Sequence, residues 1–442
     1  MSEYQDAIRW IFDRINYERI RPQINEHFRL ERVQQLLQLI GSPQERIPVV
    51  HIAGTKGKGS TAGFLDSILR AAGLRTGLFT SPHIELFEER MRVDGRMPDP
   101  VQLTGLVDEL RTRLEGAPTE LTDPGVTYFE VATLLAWMYF DQLDAEMVVL
   151  ETGLGGRLDC TNVCRPRATV ITTIGLDHTH ILGDTVELIA AEKAGIIKPG
   201  VPVVSSTGSL EATQVVSRFA DEHHCEHQQL GREIQLQPGD NAFSVQTPDR
   251  IHDSLKIRLH GEHQKTNAAC AVAAADILAR FEARITQQAI AQGLPAAECP
   301  LRFEVMERTP PIILDVAHNP DSIRAFRNTL LQRFPESASR VLVFSSSKDK
   351  NTEGMLTELR DVFALCVFTE FQTNPRATPC SELEELYSGI TDGAPCRTAD
   401  TINEALEIAA TAAGPSGSVS VTGSFFLAAE ACQLLHSRSD LK

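Results

Sequence analysis

The sequence predicts an α/β protein with two domains. Its 442 residues exceed what one hydrophobic core usually supports. Short apolar runs alternate with longer amphipathic stretches, which is typical of βαβ units that build a parallel sheet. The alternation is interrupted and then starts again in the last third of the chain. We therefore predict one domain over residues 1–298 and a second over residues 299–442.

The elements of the first domain begin with the apolar run "IPVVHIA" (47–53), a glycine-rich loop, and a helix whose apolar residues recur at helical spacing until Gly73. Further strands are predicted at 75–80, 146–151, 168–174 and 201–206, and helices at 101–114, 127–143, 186–195 and 210–222. Residues 232–260 are irregular and β-like.

The second domain follows an alanine-rich helix (266–281) and a segment rich in small residues and proline (292–300), which we interpret as a linker. Strands are predicted at 310–318, 340–347, 365–370 and 418–423, with helix-length segments between them. This alternation predicts a doubly wound α/β domain.

Composition narrows the function classes. A net charge of -17 disfavours nonspecific binding to nucleic acid or to anionic membranes. The nine cysteines show no C-x-x-C spacing, which favours reduced thiols over a zinc site or disulfides. The N-terminus lacks the pattern of a signal peptide, and no run of 18 apolar residues occurs. We expect a soluble cytoplasmic protein without nucleic-acid or membrane partners.

The loop "HIAGTKGKGST" (51–61) has the composition of a phosphate-binding loop in the strand–loop–helix context that such a loop requires. Its spacing is unusual, because Ile52 replaces the first glycine of G-x-x-x-x-G-K-[ST] and Gly59 separates Lys58 from Ser60. Glycines let backbone N–H groups approach phosphate oxygens, and Lys58 adds a positive charge. The alternative is a turn that merely connects a strand to a helix.

A second cluster, "LETGLGGRLDCTN" (150–162), begins with Glu151 at the end of a predicted strand. Ligands of α/β sheets gather beyond the carboxyl ends of strands, so Glu151 is placed like a magnesium ligand. The glycines after it would let the loop approach a ligand and direct Arg157 and Asp159 into a cleft. A tight turn is the alternative.

Two more residues of the first domain are candidates. His178 follows a predicted strand at the same sheet edge and could be a metal ligand or an acid–base group, although a single histidine can also be structural. Lys193 lies on a short helix beside Glu192, where a solvated charged face is the alternative.

In the second domain, Asp315 and His318 lie at a strand end and in the loop leading to a helix. That position is suited to ligand contact. Asn319 or Asp321 could cap the helix, and a helix cap alone is the alternative interpretation.

Nine motifs in order, "HIAGTKGKGST", "TSPH", "TYFE", "GLGGRLD", "LDHTHILG", "EKAGI", "RFE", "DVAHNP" and "TGSF", cover nearly the whole chain. Together they resemble the folylpolyglutamate synthase and dihydrofolate synthase family, a branch of the Mur ligases. The resemblance implies an N-terminal P-loop ATPase domain with a parallel-rich sheet, a C-terminal Rossmann-like domain, and an active site between them.

The resemblance also implies roles for particular residues, with ATP and Mg²⁺ as cofactors. Residues expected to bind ATP are Gly57, Lys58, Gly59, Ser60, Asn267, Arg302 and Asp315. Residues expected to bind the pterin are Thr127, Tyr128, Phe129, Glu130, Arg157, Leu158 and Asp159. The expected metal ligands are Ser81, Glu151, His178 and Lys193, the last as a carbamate formed with carbon dioxide.

The implied reaction is an amide ligation, with Lys58, Lys193, His318 and Ser424 as catalytic residues. ATP phosphorylates a pteroate or folate carboxylate, and the amine of L-glutamate attacks the acyl phosphate. His318 would orient the ammonium or accept its proton, near Ser424. All expected partners are small molecules, and a monomer is expected. The aromatic rings of Tyr128 and Phe129 suit a flat pterin, although either could simply be core.

The sequence departs from the family pattern at Lys56, where asparagine is usual, and at Leu301, where glycine is usual. Lys56 adds positive charge near the phosphates, and Leu301 makes the interdomain hinge less flexible. Three alternatives remain: a folylpolyglutamate synthase without the second activity, a peptidoglycan Mur ligase, and a P-loop switch or motor protein. The last two fit less well, because the pterin-side motifs are present and the N-K-x-D guanine motif is absent.

Overall fold

The chain divides into two units, Met1–Arg258 with Gln264–Glu298 and Leu259–His263 with Cys299–Lys442. The computed structural model describes residues 2–16, 18, 30–123, 125–239, 241–335, 339–391 and 393–439. Residues 259–263 group with the second unit, whereas the sequence pattern puts them in the first.

The first unit contains a seven-stranded sheet in the order β3-β2-β4-β1-β5-β6-β7, parallel except for β3. A small antiparallel sheet, β10-β9-β8, accounts for the β-like segment after residue 232. The strands are β1 Val49–Ala53, β2 Thr76–Phe79, β3 Met91–Val93, β4 Met147–Glu151, β5 Ala168–Ile171, β6 Val203–Ser205, β7 His227–Gln229, β8 Gln235–Gln237, β9 Phe243–Gln246 and β10 Ile251–Leu255.

Helices cover both faces of the large sheet. They are α1 Glu3–Phe12, α2 Leu30–Leu39, α3 Lys58–Ala71, α4 Pro100–Glu115, α5 Thr119–Thr122, α6 Tyr128–Gln142, α7 Thr179–Leu182, α8 Val186–Ala194, α9 Leu210–Glu222, α10 Glu262–Ala279 and α11 Gln287–Ala296. One buried cluster packs α1, α2, α4 and α6 together, and another packs α8 and α9 beneath β5 and β6. The sheet is buried on both faces, which explains why β1 and β4 are uninterrupted buried runs.

The position of β1 decides where a ligand can bind in this unit. β4 and β2 lie on one side of β1, and β5, β6 and β7 lie on the other, so the strand order reverses at β1. The crevice beyond the carboxyl ends of the strands at such a point is the usual ligand site of an open α/β sheet. The glycine loop, which follows β1 directly, therefore lies at that crevice.

The second unit has a six-stranded sheet in the order β11-β12-β16-β13-β14-β15, parallel except for β11. Its strands are β11 Glu304–Met306, β12 Ile312–Leu314, β13 Arg340–Phe344, β14 Leu365–Phe368, β15 Cys396–Thr398 and β16 Ser418–Thr422. Its helices are α12 Pro320–Arg333, α13 Thr352–Leu359, α14 Cys380–Ile390, α15 Ile402–Ala413 and α16 Phe425–Ser439. The prediction of a doubly wound α/β arrangement is confirmed.

The linker prediction is wrong for most of its length. Residues 292–296 belong to α11, which packs against α3. Gly293 makes this close packing possible, because a Cβ there would lie 2.5 Å from Ile68 Cα. A proline in the last turn removes a hydrogen-bond donor without preventing the helix. Within the described residues, no helix is long and apolar enough to cross a membrane.

Candidate active site

The glycine loop is shaped by two positions that exclude a side chain. Gly57 caps α3 with a left-handed φ of 87°, and a Cβ there would lie 2.2 Å from Asn267 Oδ1. A Cβ on Gly54 would lie 1.8 Å from Thr172 Oγ1. The loop therefore closes tightly over the start of α3, whose N-terminal N–H groups and dipole favour an anion. Asn267, on α10, lies against this loop.

Two lysines point at one backbone carbonyl in this loop. Lys58 Nζ donates to Gly54 O at 3.1 Å, and Lys193 Nζ donates to the same oxygen at 2.9 Å. Lys193 is buried, which excludes the solvated-face alternative. Burial, together with the charge of Lys58, lowers the pKa of Lys193 from 10.5 to about 7. The lowered pKa favours the neutral amine of Lys193 over the ammonium.

Lys56 has a specific partner. Its Nζ lies 3.1 Å from Asp177 Oδ2, and the Asp177 side chain is 9% exposed. Asp177 also raises the pKa of Lys193, against the larger lowering effect of burial. The lysine that departs from the family pattern is thus ion-paired next to His178.

Two of the four expected metal ligands, Ser81 and Glu151, lie at the ends of the neighbouring strands β2 and β4. Glu151 ends β4 and is paired in register with Ile52 of β1, and Ser81 N donates to Glu151 Oε2 at 3.4 Å. His178 precedes α7 with a left-handed φ of 50°. In the described part of the chain, no group of three or more His, Cys, Asp or Glu side chains is spaced to hold a metal. An oxygen set of Glu151 and Ser81 fits Mg²⁺, which protein sites hold with one or two carboxylates, water and substrate phosphates.

The "TYFE" residues start α6, but they do not all face solvent. Thr127 caps the helix, and Glu130 Oε2 accepts from Arg32 Nη2 at 2.7 Å and from Thr127 N at 2.7 Å. Tyr128 is 1% exposed, and it packs in a cluster with Phe12 and other rings. Of the two aromatic residues, Tyr128 is therefore a core residue, which was the alternative to a pterin contact. Phe129 is only half-buried.

Phe129 lies against the "GLGG" loop. A Cβ on Gly153 would be 2.4 Å from Phe129 Cζ, and the ring meets Phe79 edge-on at 5.9 Å between centroids. A half-buried ring on a glycine surface can stack on a flat ligand. Because Gly153 has no side chain, it leaves space for the Phe129 ring.

The rest of this loop packs closely on α8, the helix that carries Lys193. A Cβ on Gly156 would lie 2.8 Å from Glu192 O, and one on Gly195 would lie 2.4 Å from Arg157 Cβ. Arg157 is exposed and ion-paired with Glu192 at 2.8 Å, and Leu158 is half-buried. The glycines thus form the tight turn that the alternative interpretation predicted. They also let the loop pack closely against α8, which carries Lys193.

Asp159 is occupied by its own loop. Its carboxylate accepts from Leu154 N at 2.8 Å, from Thr161 N at 3.0 Å and from the Thr161 hydroxyl. Burial raises the pKa of Asp159, and these hydrogen bonds oppose that rise. This carboxylate orders the loop, which leaves it little capacity to accept from ring N–H groups of a ligand.

Sequence reasoning missed His51, which is fully buried on β1. Its Nε2 lies 2.8 Å from Thr161 Oγ1, and Thr161 donates to Asp159, so His51 donates and its ring is neutral. Burial lowers the pKa of His51 to about 3. A histidine inside the apolar run "IPVVHIA" was the available signal. The chain His51–Thr161–Asp159 links the strand of the phosphate loop to the "GLGG" loop.

In the second unit, the candidates follow β12 and β16. Asp315 accepts from Phe303 N and Ala317 N, both at 2.8 Å. Burial raises the pKa of Asp315 to about 6, opposed by the charge of Arg302. Leu301, the second departure, has a left-handed φ of 59°, a conformation in which the family's usual glycine is unstrained.

His318 has a defined tautomer. Its Nδ1 lies 2.8 Å from Val316 O, and because a carbonyl oxygen only accepts, Nδ1 carries a proton and donates to it. The cap of α12 is Asn319, which accepts from Ser322 N at 3.0 Å, so the helix-cap role does not fall to Asp321. Ser424 follows β16 and is 2% exposed. β12 and β16 are adjacent and parallel, so these residues lie at one sheet edge.

Comparisons with known proteins agree with this architecture. Residues 52–275 match the Mur ligase middle domain, and residues 301–425 match the Mur ligase glutamate ligase domain. The chain is 38% identical over 390 residues to the dihydrofolate synthase/folylpolyglutamate synthase of Bacillus subtilis, covering 86% of this chain and 88% of that protein. It is 34% identical over 410 residues to the folylpolyglutamate synthase of Lacticaseibacillus casei, covering 91% and 94%.

Solved structures of proteins from the same family superpose on this chain over nearly its whole length. The Mycobacterium tuberculosis folylpolyglutamate synthase complexed with ADP superposes with a TM-score of 0.87, at 29% identity over 98% of both chains. E. coli FolC in complex with DHPP and ADP superposes with a TM-score of 0.86, at 28% identity over 99% of both chains. The chain therefore belongs to the folylpolyglutamate synthase and dihydrofolate synthase family of the Mur ligases.

Proposed function

We propose that this chain is an ATP-dependent ligase that joins L-glutamate to the carboxylate of a folate or pteroate, and that it accepts both dihydropteroate and a reduced folate. The observation that best supports an ATP-dependent ligation is the pair of lysines, Lys58 and Lys193, at Gly54 O beside the N-terminus of α3. Phosphoryl transfer needs positioning and neutralisation of charge more than covalent help, and this corner supplies both.

In the first step, a carboxylate oxygen of the acceptor attacks the terminal phosphorus of ATP. The products are an acyl phosphate and ADP. Lys58, the backbone N–H groups at Gly59 and Ser60, and Asn267 hold the nucleotide in this proposal, with Arg302 and Asp315 as further contacts. Bound Mg²⁺ would neutralise phosphate charge, and Ser81, Glu151 and His178 would hold it.

Lys193 has a second role in this proposal, as a carbamate. Its neutral amine adds to carbon dioxide and releases a proton, which replaces a cation by an anion. Two lysines at one carbonyl repel each other, so the change relieves that repulsion and supplies oxygen ligands. The lowered pKa, about 7, provides the neutral amine that the addition needs.

In the second step, the amine of L-glutamate attacks the acyl carbon, and phosphate leaves as the amide forms. His318 accepts the proton from the ammonium through Nε2 of its neutral ring, and Ser424 orients the amino acid. On the acceptor side, Phe129 stacks on the pterin and Arg157 meets a carboxylate. Thr127, Glu130 and Asp159 shape this site through the hydrogen bonds described above.

The test of acceptor choice uses purified protein, ATP, Mg²⁺ and L-glutamate, with dihydropteroate or tetrahydrofolate in turn, and products resolved by mass. We expect one added glutamate on dihydropteroate and one or more on tetrahydrofolate. Extension of tetrahydrofolate alone would reduce the function to a folylpolyglutamate synthase. ADP release without any folate would indicate a nucleotide switch, and reaction with a muropeptide acceptor instead would indicate a peptidoglycan ligase.

We propose that the protein acts as a monomer in the cytoplasm. The absence of paired cysteines among the nine, all of which are free thiols, is consistent with a reducing compartment. Sedimentation at several concentrations tests the monomer, because a self-associating protein would change its sedimentation coefficient.

A further inference from the structure

A lysine and a carboxylate form an ion pair between the phosphate loop and the loop that follows β5. Lys56 Nζ lies 3.1 Å from Asp177 Oδ2, with the Lys56 side chain 24% exposed and the Asp177 side chain 9% exposed. The proposed ligation uses Lys58 and His178, their near neighbours in the sequence, but it gives the pair itself no role. A cation near bound phosphate and a carboxylate near a bound metal both change the affinities of those ligands.

The backbone on both sides of the ion pair is fixed by other contacts. Thr55 N and Lys56 N both donate to Thr173 O, at 2.8 and 3.1 Å. The Thr55 hydroxyl donates to Gly175 O at 3.1 Å, and Gly175 N donates to the same hydroxyl oxygen at 3.1 Å. These hydrogen bonds join the two loops without Lys56 Nζ, so the ion pair is not needed to hold them together.

Asp177 is anchored by its other oxygen. Asp177 Oδ1 accepts from His178 N at 3.0 Å, which supports the left-handed φ of 50° at His178. This hydrogen bond does not involve Oδ2, the oxygen that faces Lys56. Asp177 therefore keeps its place when the ammonium moves away, and an asparagine at this position can still accept from His178 N.

The Lys56 ammonium lies within electrostatic range of the corner where phosphate is proposed to bind. Burial, and next the charges of Lys58 and Lys56, lower the pKa of Lys193, whose Nζ lies 2.9 Å from Gly54 O. A lysine ammonium is carried on four rotatable bonds, and its Nζ reaches roughly 6 Å from Cα by standard bond lengths. Lys56 can therefore change partners without any movement of the backbone.

The two possible partners of Lys56 differ in charge. An ion pair whose lysine is partly exposed contributes little, because water screens the attraction. A terminal phosphate carries a charge of about -2 near neutral pH, twice that of a carboxylate, and so attracts the ammonium more strongly. A carboxylate that has lost its ammonium in turn attracts a divalent cation more strongly. Phosphate and metal would therefore each favour binding of the other.

We propose that the nucleotide phosphates and Asp177 compete for Lys56, and that Lys56 thereby couples nucleotide binding to metal binding. When phosphate takes the ammonium, the Asp177 carboxylate beside His178 attracts a divalent cation. When Asp177 holds the ammonium, the positive charge disfavours that cation. The inference rests on the proposed binding of ATP and Mg²⁺ at this corner. It gives Lys56 a specific role as the residue that changes partner.

The test measures binding instead of turnover. ADP is titrated calorimetrically in EDTA. Mn²⁺, which prefers the same oxygen ligands as Mg²⁺, is titrated with and without ADP by electron paramagnetic resonance. Only the Mn²⁺ binding that Glu151→Gln abolishes is counted, because an acidic protein also binds this cation elsewhere.

Two substitutions remove the two halves of the pair. Lys56→Gln removes the ammonium, and Asp177→Asn removes the carboxylate. Lys256→Gln is the matched control for the change in overall charge, because Lys256 is an exposed lysine that follows β10.

We expect Lys56→Gln to act in opposite directions on the two ligands. It should weaken ADP binding in EDTA by about 3- to 10-fold and tighten Mn²⁺ binding without ADP by a similar factor, since one cation is lost. ADP should then tighten Mn²⁺ binding less than in the wild type. Lys256→Gln should match the wild type, and all thermal midpoints should agree. Unchanged affinities, or weaker binding of both ligands, would mean that the pair is only structural, and the inference would be wrong.

The double variant decides whether the ion pair is exchanged. In Asp177→Asn the phosphates take Lys56 without competition. Lys56→Gln should therefore cost about 3-fold more ADP affinity in this background than in the wild-type background. Equal costs in the two backgrounds would show that the ion pair stays intact when ADP binds, and would refute the competition.

The same titrations separate this inference from the proposed function. A wild type that does not bind ADP would refute the nucleotide site and the inference with it. Normal ADP binding, together with additive effects of the two substitutions, would refute the inference alone.

Discussion

Replacing Lys193 by methionine should abolish turnover and, below neutral pH, stabilise the protein. The variant keeps the length of the buried side chain but removes its charge. Gly54 O loses one donor, yet Lys58 Nζ still donates to it at 3.1 Å, so the carbonyl stays satisfied. The main effect of the substitution on stability is therefore the removal of a buried ammonium beside another lysine.

The magnitude follows from the pKa. Burial and the charge of Lys58 lower it from 10.5 to about 7. At 1.36 kcal/mol per unit this is ~5 kcal/mol against the charged form, an upper bound. Relaxation and water penetration reduce such penalties, so we expect a stabilisation of roughly 2–3 kcal/mol.

The direction of the pKa shift determines the pH range in which the buried charge of Lys193 destabilises the protein. The unfolded chain keeps the proton up to pH 10.5, whereas the folded chain releases it from about pH 7 upward. The penalty is therefore complete below pH 7 and shrinks as the pH rises towards 10.5. Lys193→Met should gain most at pH 6 and much less at pH 9.

The assay is urea unfolding at pH 6 and pH 9 in buffer depleted of carbon dioxide, so that wild-type Lys193 is a free amine. ADP release is measured on the same preparations. It is also measured for Lys193→Ala with and without acetate, whose carboxylate should replace the carbamate on Mg²⁺ in that variant. Lys198→Met is the control, because burial also lowers the pKa of Lys198, whereas that side chain donates to Asn162 O and lies outside the proposed set. Lower stability of Lys193→Met at both pH values, or full activity, would refute the reasoning.

Three further predictions follow from the same unit. Lys58→Ala should leave the thermal midpoint near that of the wild type and abolish ADP formation, because it removes charge facing the phosphates; retained activity would exclude the phosphate-loop assignment. Gly153→Ala should raise the KM for the pteroate acceptor but not for ATP, since its Cβ would lie 2.4 Å from Phe129 Cζ; equal KM values would remove Phe129 from the acceptor site. Thr161→Val should cost ~1–3 kcal/mol in unfolding experiments by leaving His51 and Asp159 buried without their shared partner, and unchanged stability would contradict that role.

The sequence by itself determined the order of the elements that form the sheets. β1, β4 and β13 are apolar runs bounded by polar or glycine-rich segments, and this local pattern survives in any α/β fold because parallel strands are buried on both faces. The short edge strands β3, β7, β11 and β15 were not predicted, because three residues carry too little periodicity. Their pairing is decided by neighbours distant in the sequence.

The motifs identified the family and most of the candidate residues, since the glycines, lysines and carboxylates that approach a ligand follow strand ends directly in the sequence. Which of these side chains are free to meet a ligand was decided by the tertiary structure. Tyr128 and Phe129 are adjacent in one motif, yet packing buries the first and leaves the second half-exposed on Gly153.

The charge of Lys193 and the hydrogen bonds of Asp159 were likewise decided by the tertiary structure and not by the local sequence. Lys193 is a basic residue on a short helix until the fold buries it against Gly54 and Lys58, which creates its low pKa. Asp159 looks like a ligand in the sequence, but the backbone of its own loop and Thr161 occupy its carboxylate. Burial and partnership depend on segments far apart in the chain, such as β1 and the "GLGG" loop, and only the folded structure brings them together.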